Sequence, residues 1–287
     1  MSNIVAIIVT YNVSSSFSKN VDALLDKVAE IIVVDNGSKQ ETINMLDSLN
    51  GKISLIKLNE NKGIAYALNR GIEYALNKSY EWILTLDHDS IVDTNMLTNM
   101  LKTYDKMTEV EKEKVVMITP THVEEKEMSN KIVINSGYEY VLTEITSGAL
   151  TKAWYYSKNK YDEKLFIDMV DHEFCLEINK NGYKIIRVNS AILLHNLGES
   201  ERKRIFGLTI TPTNHSALRR YYMSRNRMYV WKRYKGKYDE WIKKDKIRFI
   251  SEFAKIIIFE DDKLNKIKMI KKGISDYKIG KWGAYNK

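Results

Sequence analysis

Short apolar runs alternate with longer amphipathic stretches through the first part of the chain. Four runs rich in β-branched residues predict buried strands at Ile4–Thr10, Ile31–Val34, Ile53–Leu58 and Trp82–Leu86. The stretches between them carry apolar residues at helical spacing, at Phe17–Ala29, Gln40–Leu49 and Ala65–Asn77. Because parallel strands need a crossover that packs on a face of the sheet, this pattern predicts an α/β fold with a mostly parallel central sheet flanked by helices.

The regular alternation ends after Asp89. Beyond it, the pattern predicts helices at Thr94–Met107 and Val170–Asn181 and strands at Val115–Thr119, Lys131–Asn135, Tyr138–Thr143 and Lys184–Leu194. From Ser216 onward the apolar residues recur at helical spacing throughout. We therefore expect an α/β domain over residues 1–214 and a helical C-terminal region over residues 215–287.

The two regions differ in charge. The whole chain carries a net charge of +8. From His215 to the end there are 21 Lys and Arg against 8 Asp and Glu, whereas the first 214 residues carry 24 against 29. A basic helical tail is typical of a solvated surface, and also of a surface that binds an anionic membrane or nucleic acid. We expect the catalytic residues in the acidic region, residues 1–214.

Cysteine usage and the N-terminus indicate the compartment. The chain has one cysteine, Cys175, which excludes an intrachain disulfide and a cysteine-rich metal cluster. The apolar stretch Ile4–Val9 has no basic residue before it and is too short for an export signal. We therefore expect a cytoplasmic protein.

Polar residues follow three of the predicted strands. They are Thr10–Asn12, Asp35–Ser38 and Asp87–Ser90. The carboxyl ends of parallel strands meet at one edge of a sheet, which is where such folds bind nucleotides. Asp87 and Asp89 place two carboxylates where a divalent cation on a diphosphate could be held, although an Asp-x-Asp pair by itself is a weak signal and is more typical of a polar turn after a strand.

The order and spacing of these motifs resemble family-2 glycosyltransferases. The residues that carry the resemblance are Val9–Asn12, Val34–Ser38, Asn61-x-Gly63-x-Ala65-x-Ala67-x-Asn69-x-Gly71, Asp87-x-Asp89, Ser147-Gly148, Val170–Leu176, Leu194-His195-x-x-Gly198 and Arg219–Asn226. The later motifs are most similar to the rhamnosyltransferase branch that builds bacterial surface polysaccharides. The resemblance implies a GT-A type fold and inverting transfer of a sugar from a nucleoside-diphosphate donor.

The resemblance also implies a donor site. Tyr11 and Asp35 would hold the base, one by stacking and one by accepting a proton, with Thr10 and Asn12 beside them. Gly63 would leave room for the nucleotide at the start of a helix, where free backbone amides favour anions. The further donor-binding residues implied are Arg70, Asp87 and His88, with Asp87 facing the ribose.

Metal and catalytic roles follow from the same resemblance. Asp89 and His195 would bind Mn²⁺ or Mg²⁺, and Asp171 would be the catalytic base that deprotonates the acceptor. The chain departs from the family pattern beside that base, with Val170 where Glu is common and Glu177 where Arg is common. These departures affect the expected acceptor contacts, for which the candidates are Ser147, Gly148, Trp154, Glu173, Arg225 and Asn226.

The C-terminal tail contains apolar positions flanked by basic ones between Ile247 and Phe259. It has no apolar run near the roughly 18–20 residues that a transmembrane helix needs. Acceptors in surface-polysaccharide assembly are commonly lipid-linked oligosaccharides, so the tail is predicted either to lie on the inner face of the membrane or to pack on the core or on a second subunit of a homodimer.

Other function classes fit the sequence less well. A sugar-phosphate nucleotidyltransferase needs a glycine-rich N-terminal loop, but residues 10–20 contain no glycine. The chain has neither the Gly-x-Gly-x-x-Gly pattern of dehydrogenases nor a P-loop. A nucleic-acid-binding module or an inactive homologue leaves the ordered acidic motifs unexplained, so no nucleic-acid partner is expected. The donor expected first is dTDP-rhamnose, with UDP-galactose, UDP-glucose or an N-acetylated UDP-sugar as alternatives.

Overall fold

The computed structural model describes residues 3–124, 137–195, 203–205, 208–210 and 214–286. The chain divides into two compact units. The first contains Met1–Glu163 and Val170–Asn196, and the second contains Lys164–Met169 and Leu197–Lys287. The predicted strand at Lys131–Asn135 lies outside the described residues. The domain boundary expected after residue 214 stays a prediction.

The first unit is built on a sheet of nine described strands. Its order is β3-β2-β1-β4-β8-β6-β9-β5, and β7 pairs with β9. Strands β3, β2, β1 and β4 are mutually parallel, and β6 is parallel to β9, whereas β8, β5 and β7 are antiparallel to their neighbours. The strands are β1 Ile4–Thr10, β2 Glu30–Asp35, β3 Ser54–Lys57, β4 Trp82–Asp87, β5 Ser90–Val92, β6 Val115–Glu124, β7 Tyr138–Val141, β8 Ala149–Lys152 and β9 Lys184–His195.

Helices flank this sheet, so the predicted α/β class with a mostly parallel sheet is confirmed. All seven residues of β1 are buried, as expected for a central parallel strand that is covered on both faces. The helices of this unit are α1 Phe17–Asp22, α2 Gln40–Asp47, α3 Ile64–Leu76, α4 Met96–Asp105, α5 Glu109–Lys114, α6 Ala153–Lys158 and α7 Val170–Lys180.

Two local differences from the predicted elements matter for the fold. The first helix ends at Asp22 rather than Ala29, because the backbone N of Leu24 and of Lys27 each bonds a carbonyl three residues earlier and the chain continues as turns. The periodicity did not predict strand β8, whose sequence Ala-Leu-Thr-Lys contains a single β-branched residue. It inserts between β4 and β6, and it thereby brings the residues just before it beside the end of β4.

Close approach of α3 to the sheet requires a glycine. A Cβ at Gly71 would lie 2.6 Å from Cγ2 of Ile7 on β1 and 3.1 Å from Cγ2 of Val34 on β2. Because no larger side chain fits there without displacing the sheet, α3 packs directly on β1 and β2. This packing places the start of α3 at the same sheet edge as the ends of those strands.

The second unit consists mainly of three helices, α8 Ala217–Tyr234, α9 Asp239–Phe259 and α10 Lys263–Lys278. A short antiparallel pair, β10 Lys203–Ile205 and β11 Leu208–Ile210, precedes them. Helix α8 begins at Ser216, whose hydroxyl accepts a hydrogen bond from the backbone N of Arg219 at 3.2 Å. Helices α8 and α10 pack so closely at Gly273 that a Cβ there would collide with the Ser224 hydroxyl and the Tyr221 carbonyl.

The segment Lys164–Met169 of this unit has an unusual backbone. Phe166, Asp168 and Met169 have φ values of 60°, 65° and 65°, a left-handed conformation that costs a non-glycine residue roughly 1–2 kcal/mol. The side-chain amide of Asn226 donates to the carbonyls of Leu165, Ile167 and Asp168 at 2.6, 2.8 and 2.9 Å. One buried side chain therefore holds three carbonyls of the strained segment.

Loss of this amide should destabilise the protein. We expect Asn226→Ala to lower the free energy of unfolding by about 2–4 kcal/mol, because it leaves buried carbonyls without donors. Urea unfolding measures the change. Asn265→Ala is the matched control, since Asn265 is exposed on α10 and its side chain bonds the nearby exposed Asp262, so its cost should stay below about 0.5 kcal/mol. Equal costs for the two variants would contradict the assigned role of Asn226.

Candidate active site

The carboxyl ends of β1, β2 and β4 lie side by side. Thr10 at the end of β1 is in register with Asp35 at the end of β2. Its neighbour Val9 is in register with Asp87 at the end of β4. The polar groups that follow these three strands therefore converge on one edge of the sheet, as the sequence pattern predicts.

Asp35 organises the loop after β2. Its buried carboxylate accepts hydrogen bonds from the hydroxyls of Thr10 at 3.2 Å and Ser38 at 2.5 Å, and from the backbone N of Gly37 at 3.2 Å and Ser38 at 2.9 Å. A carboxylate has about four acceptor positions, so these four donors occupy them. The structure thus gives Asp35 a role in shaping the loop, and a nucleotide base would have to share its oxygens with these donors.

The loop after β1 is joined to the loop after β2. Asn12 has a left-handed φ of 53°, its side-chain oxygen accepts from the backbone N of Lys39 at 2.9 Å, and its own N donates to the Ser38 hydroxyl at 2.8 Å. Tyr11 beside it is 48% exposed. Asn12 therefore fixes the loop, while the Tyr11 ring is the free apolar surface at this edge.

Gly37 and Gly63 bring the start of α3 to the same place. A Cβ at Gly37, whose φ is 80°, would lie 2.6 Å from the backbone N of Asn61. Gly63, with a φ of 91°, caps α3, and its N donates to the side-chain oxygen of Asn61 at 3.0 Å. On the second turn of α3, Arg70 pairs with Glu73 at 2.6 Å.

The turn between β4 and β5 carries the Asp-x-Asp pair. Asp87 and His88 are half-buried, and Asp89 is exposed. The hydroxyl of Ser147 accepts from the backbone N of Asp87 at 3.0 Å and lies 2.8 Å from the hydroxyl of Ser90. The buried side chain of Ser147 therefore supports both ends of this turn.

The residue before Ser147 contacts the predicted base. The hydroxyl of Thr146 donates to Oδ1 of Asp171 at 3.1 Å. The Thr146 carbonyl accepts from the hydroxyl of Thr85 on β4 at 2.7 Å, and the backbone N of Gly148 donates to the Thr85 carbonyl at 2.8 Å. Residues 146–148 thus join the Asp-x-Asp turn to Asp171. Sequence reasoning missed Thr146 and Thr85, for which the only signal was adjacency to the motifs.

Asp171 lies in the first turn of α7, where the helix dipole favours a carboxylate. The other side of this helix is anchored by aromatic packing, since the Phe174 ring lies 4.3 Å from the ring of Tyr161 and 5.3 Å from that of Tyr156. Burial raises the pKa of the Cys175 thiol, which therefore stays protonated and is not a nucleophile at neutral pH. Helix α7 is thus a rigid support for Asp171.

The other predicted acceptor residues have different surroundings. Glu173 is buried, whereas Trp154 on α6 is exposed and makes edge contacts with Tyr155 and Tyr183. Arg225 and Asn226 belong to the second unit and are fully buried there. The guanidinium of Arg225 donates to the carbonyls of Lys164, Leu165 and Gly283. Both side chains are therefore hydrogen-bonded to backbone carbonyls of their own unit.

The structure describes one of the two side chains predicted to bind a metal, that of Asp89. The backbone of His195 at the end of β9 is directly opposite Ser90, the residue after Asp89. The side chain of His195 and the whole of Gly198 lie outside what the structure describes. Within the described part of the chain, no three His, Cys, Asp or Glu side chains are grouped as a metal site. The two carboxylates of the turn are hard oxygen ligands, which suit Mn²⁺ or Mg²⁺.

Comparison with known proteins identifies the family. Residues 5–164 match the family described as Glycosyl transferase family 2. The chain belongs to glycosyltransferase family 2. It is also 30% identical over 239 residues to the dTDP-rhamnosyl transferase RfbF of Shigella flexneri. This alignment covers 78% of this chain and 78% of that protein. The resemblance seen in the motifs is therefore confirmed at the level of the family.

Solved structures agree on the fold. The crystal structure of GalNAc-T7 with UDP, GalNAc and Mn²⁺ has a TM-score of 0.62 at 14% identity and covers 96% of this chain. This family-2 chain spans 56% of the length of GalNAc-T7. The S. aureus TarS 1–349 structure with UDP-GlcNAc has a TM-score of 0.52 at 13% identity, covering 98% of this chain and 73% of that one. Both likenesses support the GT-A type architecture.

None of the helices in the described parts of the chain is long and apolar enough to span a bilayer.

The bond between Thr146 and Asp171 can be tested by removing one hydroxyl. We expect Thr146→Val to lower the rate of sugar transfer about 10- to 100-fold, because a hydrogen bond to a charged group contributes roughly 1.5–3 kcal/mol. Initial rates with purified protein measure it. Thr119→Val removes an equally buried hydroxyl, which bonds the Ile186 carbonyl at 3.2 Å, and it should keep the rate within about threefold. A normal rate in folded Thr146→Val would contradict this positioning role.

Proposed function

We propose that this family-2 enzyme transfers rhamnose from dTDP-rhamnose, with inversion at the anomeric carbon, to a lipid-linked oligosaccharide acceptor. The observation that carries the proposal is the chain of hydrogen bonds from the Asp87 turn through Ser147 and Thr146 to Asp171. It couples the implied donor-binding turn to a carboxylate on a separate helix. The choice of rhamnose is supported by the similarity to the dTDP-rhamnosyl transferase of Shigella flexneri.

The donor is proposed to lie along the edge formed by the first four strands. Its base would stack on the exposed ring of Tyr11, in contact with the loop that Asp35 and Asn12 hold together. The free amides at the start of the 13-residue helix α3, after Gly63, favour the phosphates. Asp87 and His88 would contact the ribose, and Arg70, the arginine of α3, would contact a phosphate or the base.

A divalent cation, Mn²⁺ or Mg²⁺, is proposed to be held by Asp89 and His195. When bound, such an ion neutralises the negative charge that develops on the leaving diphosphate. The exposed carboxylate of Asp89 and the position of the His195 backbone opposite Ser90 support this assignment. The fixed turn between β4 and β5 keeps Asp89 in place, because Ser147 supports the turn at Asp87 and Ser90.

Asp171 is proposed to be the catalytic base. Its carboxylate would take the proton of the acceptor hydroxyl while the hydroxyl oxygen attacks the anomeric carbon. The bond from that carbon to the diphosphate oxygen breaks on the opposite face, and the nucleoside diphosphate leaves with the bonding electrons. The configuration is inverted in one displacement, so no covalent enzyme intermediate is needed. The hydroxyl of Thr146 holds Oδ1 of Asp171 and thereby orients this carboxylate.

The acceptor is proposed to bind on the Asp171 side of the donor. Trp154 offers an exposed aromatic face, and aromatic faces pack on the C–H surfaces of sugars. A lipid-linked acceptor would bring the enzyme to the inner face of the cell membrane, where it would act as a peripheral cytoplasmic protein.

Donor binding provides the direct test. We expect dTDP-rhamnose with Mn²⁺ or Mg²⁺ at about 100 times the dissociation constant to stabilise the enzyme by about 2.7 kcal/mol, read as a higher thermal midpoint. The Asp89→Asn variant should lose most of the stabilisation that depends on the metal ion. Asp105→Asn, which alters an exposed carboxylate on α4, should behave as wild type.

Parallel measurements with UDP-galactose, UDP-glucose and UDP-N-acetylglucosamine identify the donor. A higher midpoint with a UDP-sugar alone would replace rhamnose and keep the chemistry. If none of the four donors raises the midpoint, the proposed sugar-transfer activity is wrong.

A further inference from the structure

The outward face of α9 carries a stripe of exposed isoleucines. Ile247, Ile250, Ile257 and Ile258 are 59%, 67%, 46% and 61% exposed. Their spacing places them on one side of the helix, with the exposed Ala254 between them. Single exposed apolar residues are common on soluble proteins, but a contiguous stripe marks an interaction surface. We call these four isoleucines the α9 stripe.

Basic residues flank the α9 stripe. Lys243, Lys244, Lys246 and Arg248 are all exposed. The two carboxylates of α9 after its first turn point the other way. Asp245 accepts from the Trp231 indole at 2.8 Å, and Glu252 accepts from the guanidinium of Arg227 at 2.7 and 2.9 Å.

This inward pairing decides the charge of the outer face. Asp245 is buried and Glu252 is mostly buried against α8, so α9 exposes no carboxylate among residues 241–259. Burial alone would raise the pKa of Glu252, but the hydrogen bonds and charge of Arg227 lower it below the ordinary glutamate value, so this carboxylate stays ionised and paired. The outward face of α9 is therefore apolar along its centre, with the four exposed cations beside it and exposed carboxylates of this helix, Asp239 and Glu240, confined to its first turn.

We propose that α9 lies flat on an anionic lipid surface, with the α9 stripe inserted among the acyl chains and the flanking cations on the headgroups. Amphipathic helices with this arrangement bind at the membrane interface without crossing it. This membrane surface would bring the enzyme to the bilayer that holds its acceptor. The purpose of membrane binding therefore rests on the proposed function, whereas the binding itself does not.

Two other occupants fit the surface less well. In a symmetric dimer the same patch faces itself, so four exposed cations of one copy, against only Asp239 and Glu240 on the same helix, would be brought towards the same positively charged patch of the other copy. Nucleic acid would satisfy the cations but leave four exposed isoleucines without an apolar partner. An anionic bilayer satisfies both parts of the face.

The test uses the full chain and sedimentation with vesicles. One set contains phosphatidylcholine alone, and the other contains about 30% phosphatidylglycerol, whose headgroups attract cations. The test variant replaces the four residues of the α9 stripe by Ser. The matched control replaces four other exposed apolar residues by Ser, namely Leu25, Val110, Leu218 and Ile279. Circular dichroism checks that both variants are folded.

We expect wild type and control to bind the anionic vesicles and not the neutral ones, and the stripe variant to bind at least about tenfold more weakly. Raising the salt concentration from about 0.1 to 0.5 M should also weaken binding. Absence of wild-type binding, or equal binding by both variants, would overturn the proposal. The proposal would also be overturned if analytical ultracentrifugation showed that the wild type and the control are dimers and that the stripe variant is a monomer.

Donor stabilisation, measured on the same preparations, should be the same in all three proteins. A failure of vesicle binding with normal donor binding would therefore refute the membrane surface and leave sugar transfer standing.

Discussion

The arrangement of the candidate site depends on three consecutive residues, 146–148. The hydroxyl of Ser147 supports the Asp-x-Asp turn at Asp87 and Ser90, and the hydroxyl of Thr146 holds Asp171. The backbone of the same residues is bonded to Thr85 on β4, so neither contact can move independently of the sheet. The Asp-x-Asp turn and Asp171 on α7 are thus held in a defined relative position, which is what the proposed single in-line displacement requires.

The helices of the second unit are held together by acidic residues that form internal pairs. Asp245 and Glu252 pair with α8, and Glu260 pairs with the buried Arg220 at 2.7 Å. Removing one partner of such a pair would leave a buried charge uncompensated, which makes these contacts strong constraints on how the helices pack. These carboxylates are largely buried, and Lys and Arg outnumber Asp and Glu on the solvent-exposed surface of the C-terminal region.

The sequence predicted the parts of this structure that depend on local pattern. The four parallel strands, the helices between them and the meeting of Thr10, Asp35 and Asp87 at one edge all follow from periodicity and from the rule for parallel sheets. The family motifs also agree with the family match. Strand β8 was not predicted because its four residues include a single β-branched one, Thr151, although this strand sets the position of residues 146–148.

Side-chain partners could not be predicted in the same way. Nothing in the local pattern distinguishes an Asp35 that is free to meet a base from one whose oxygens are already engaged by Thr10, Gly37 and Ser38. The same holds for Asn226, whose three carbonyl partners lie about 60 residues away in the chain. Such contacts arise from tertiary structure, and only coordinates reveal them.

The most direct test of the account is the turnover of Asp171→Asn compared with that of Asp168→Asn. Asp171 bonds Thr146, whereas Asp168 is three residues earlier and pairs with Arg219 at 3.1 Å. If Asp171 is the base, its amide variant should lose about 10²- to 10⁴-fold in turnover while binding the nucleotide-sugar donor as wild type does, and the Asp168 variant should stay within about fivefold. Substantial turnover by folded Asp171→Asn, or a comparable loss in Asp168→Asn with normal donor binding, would contradict the central claim that residues 146–148 position Asp171 for catalysis.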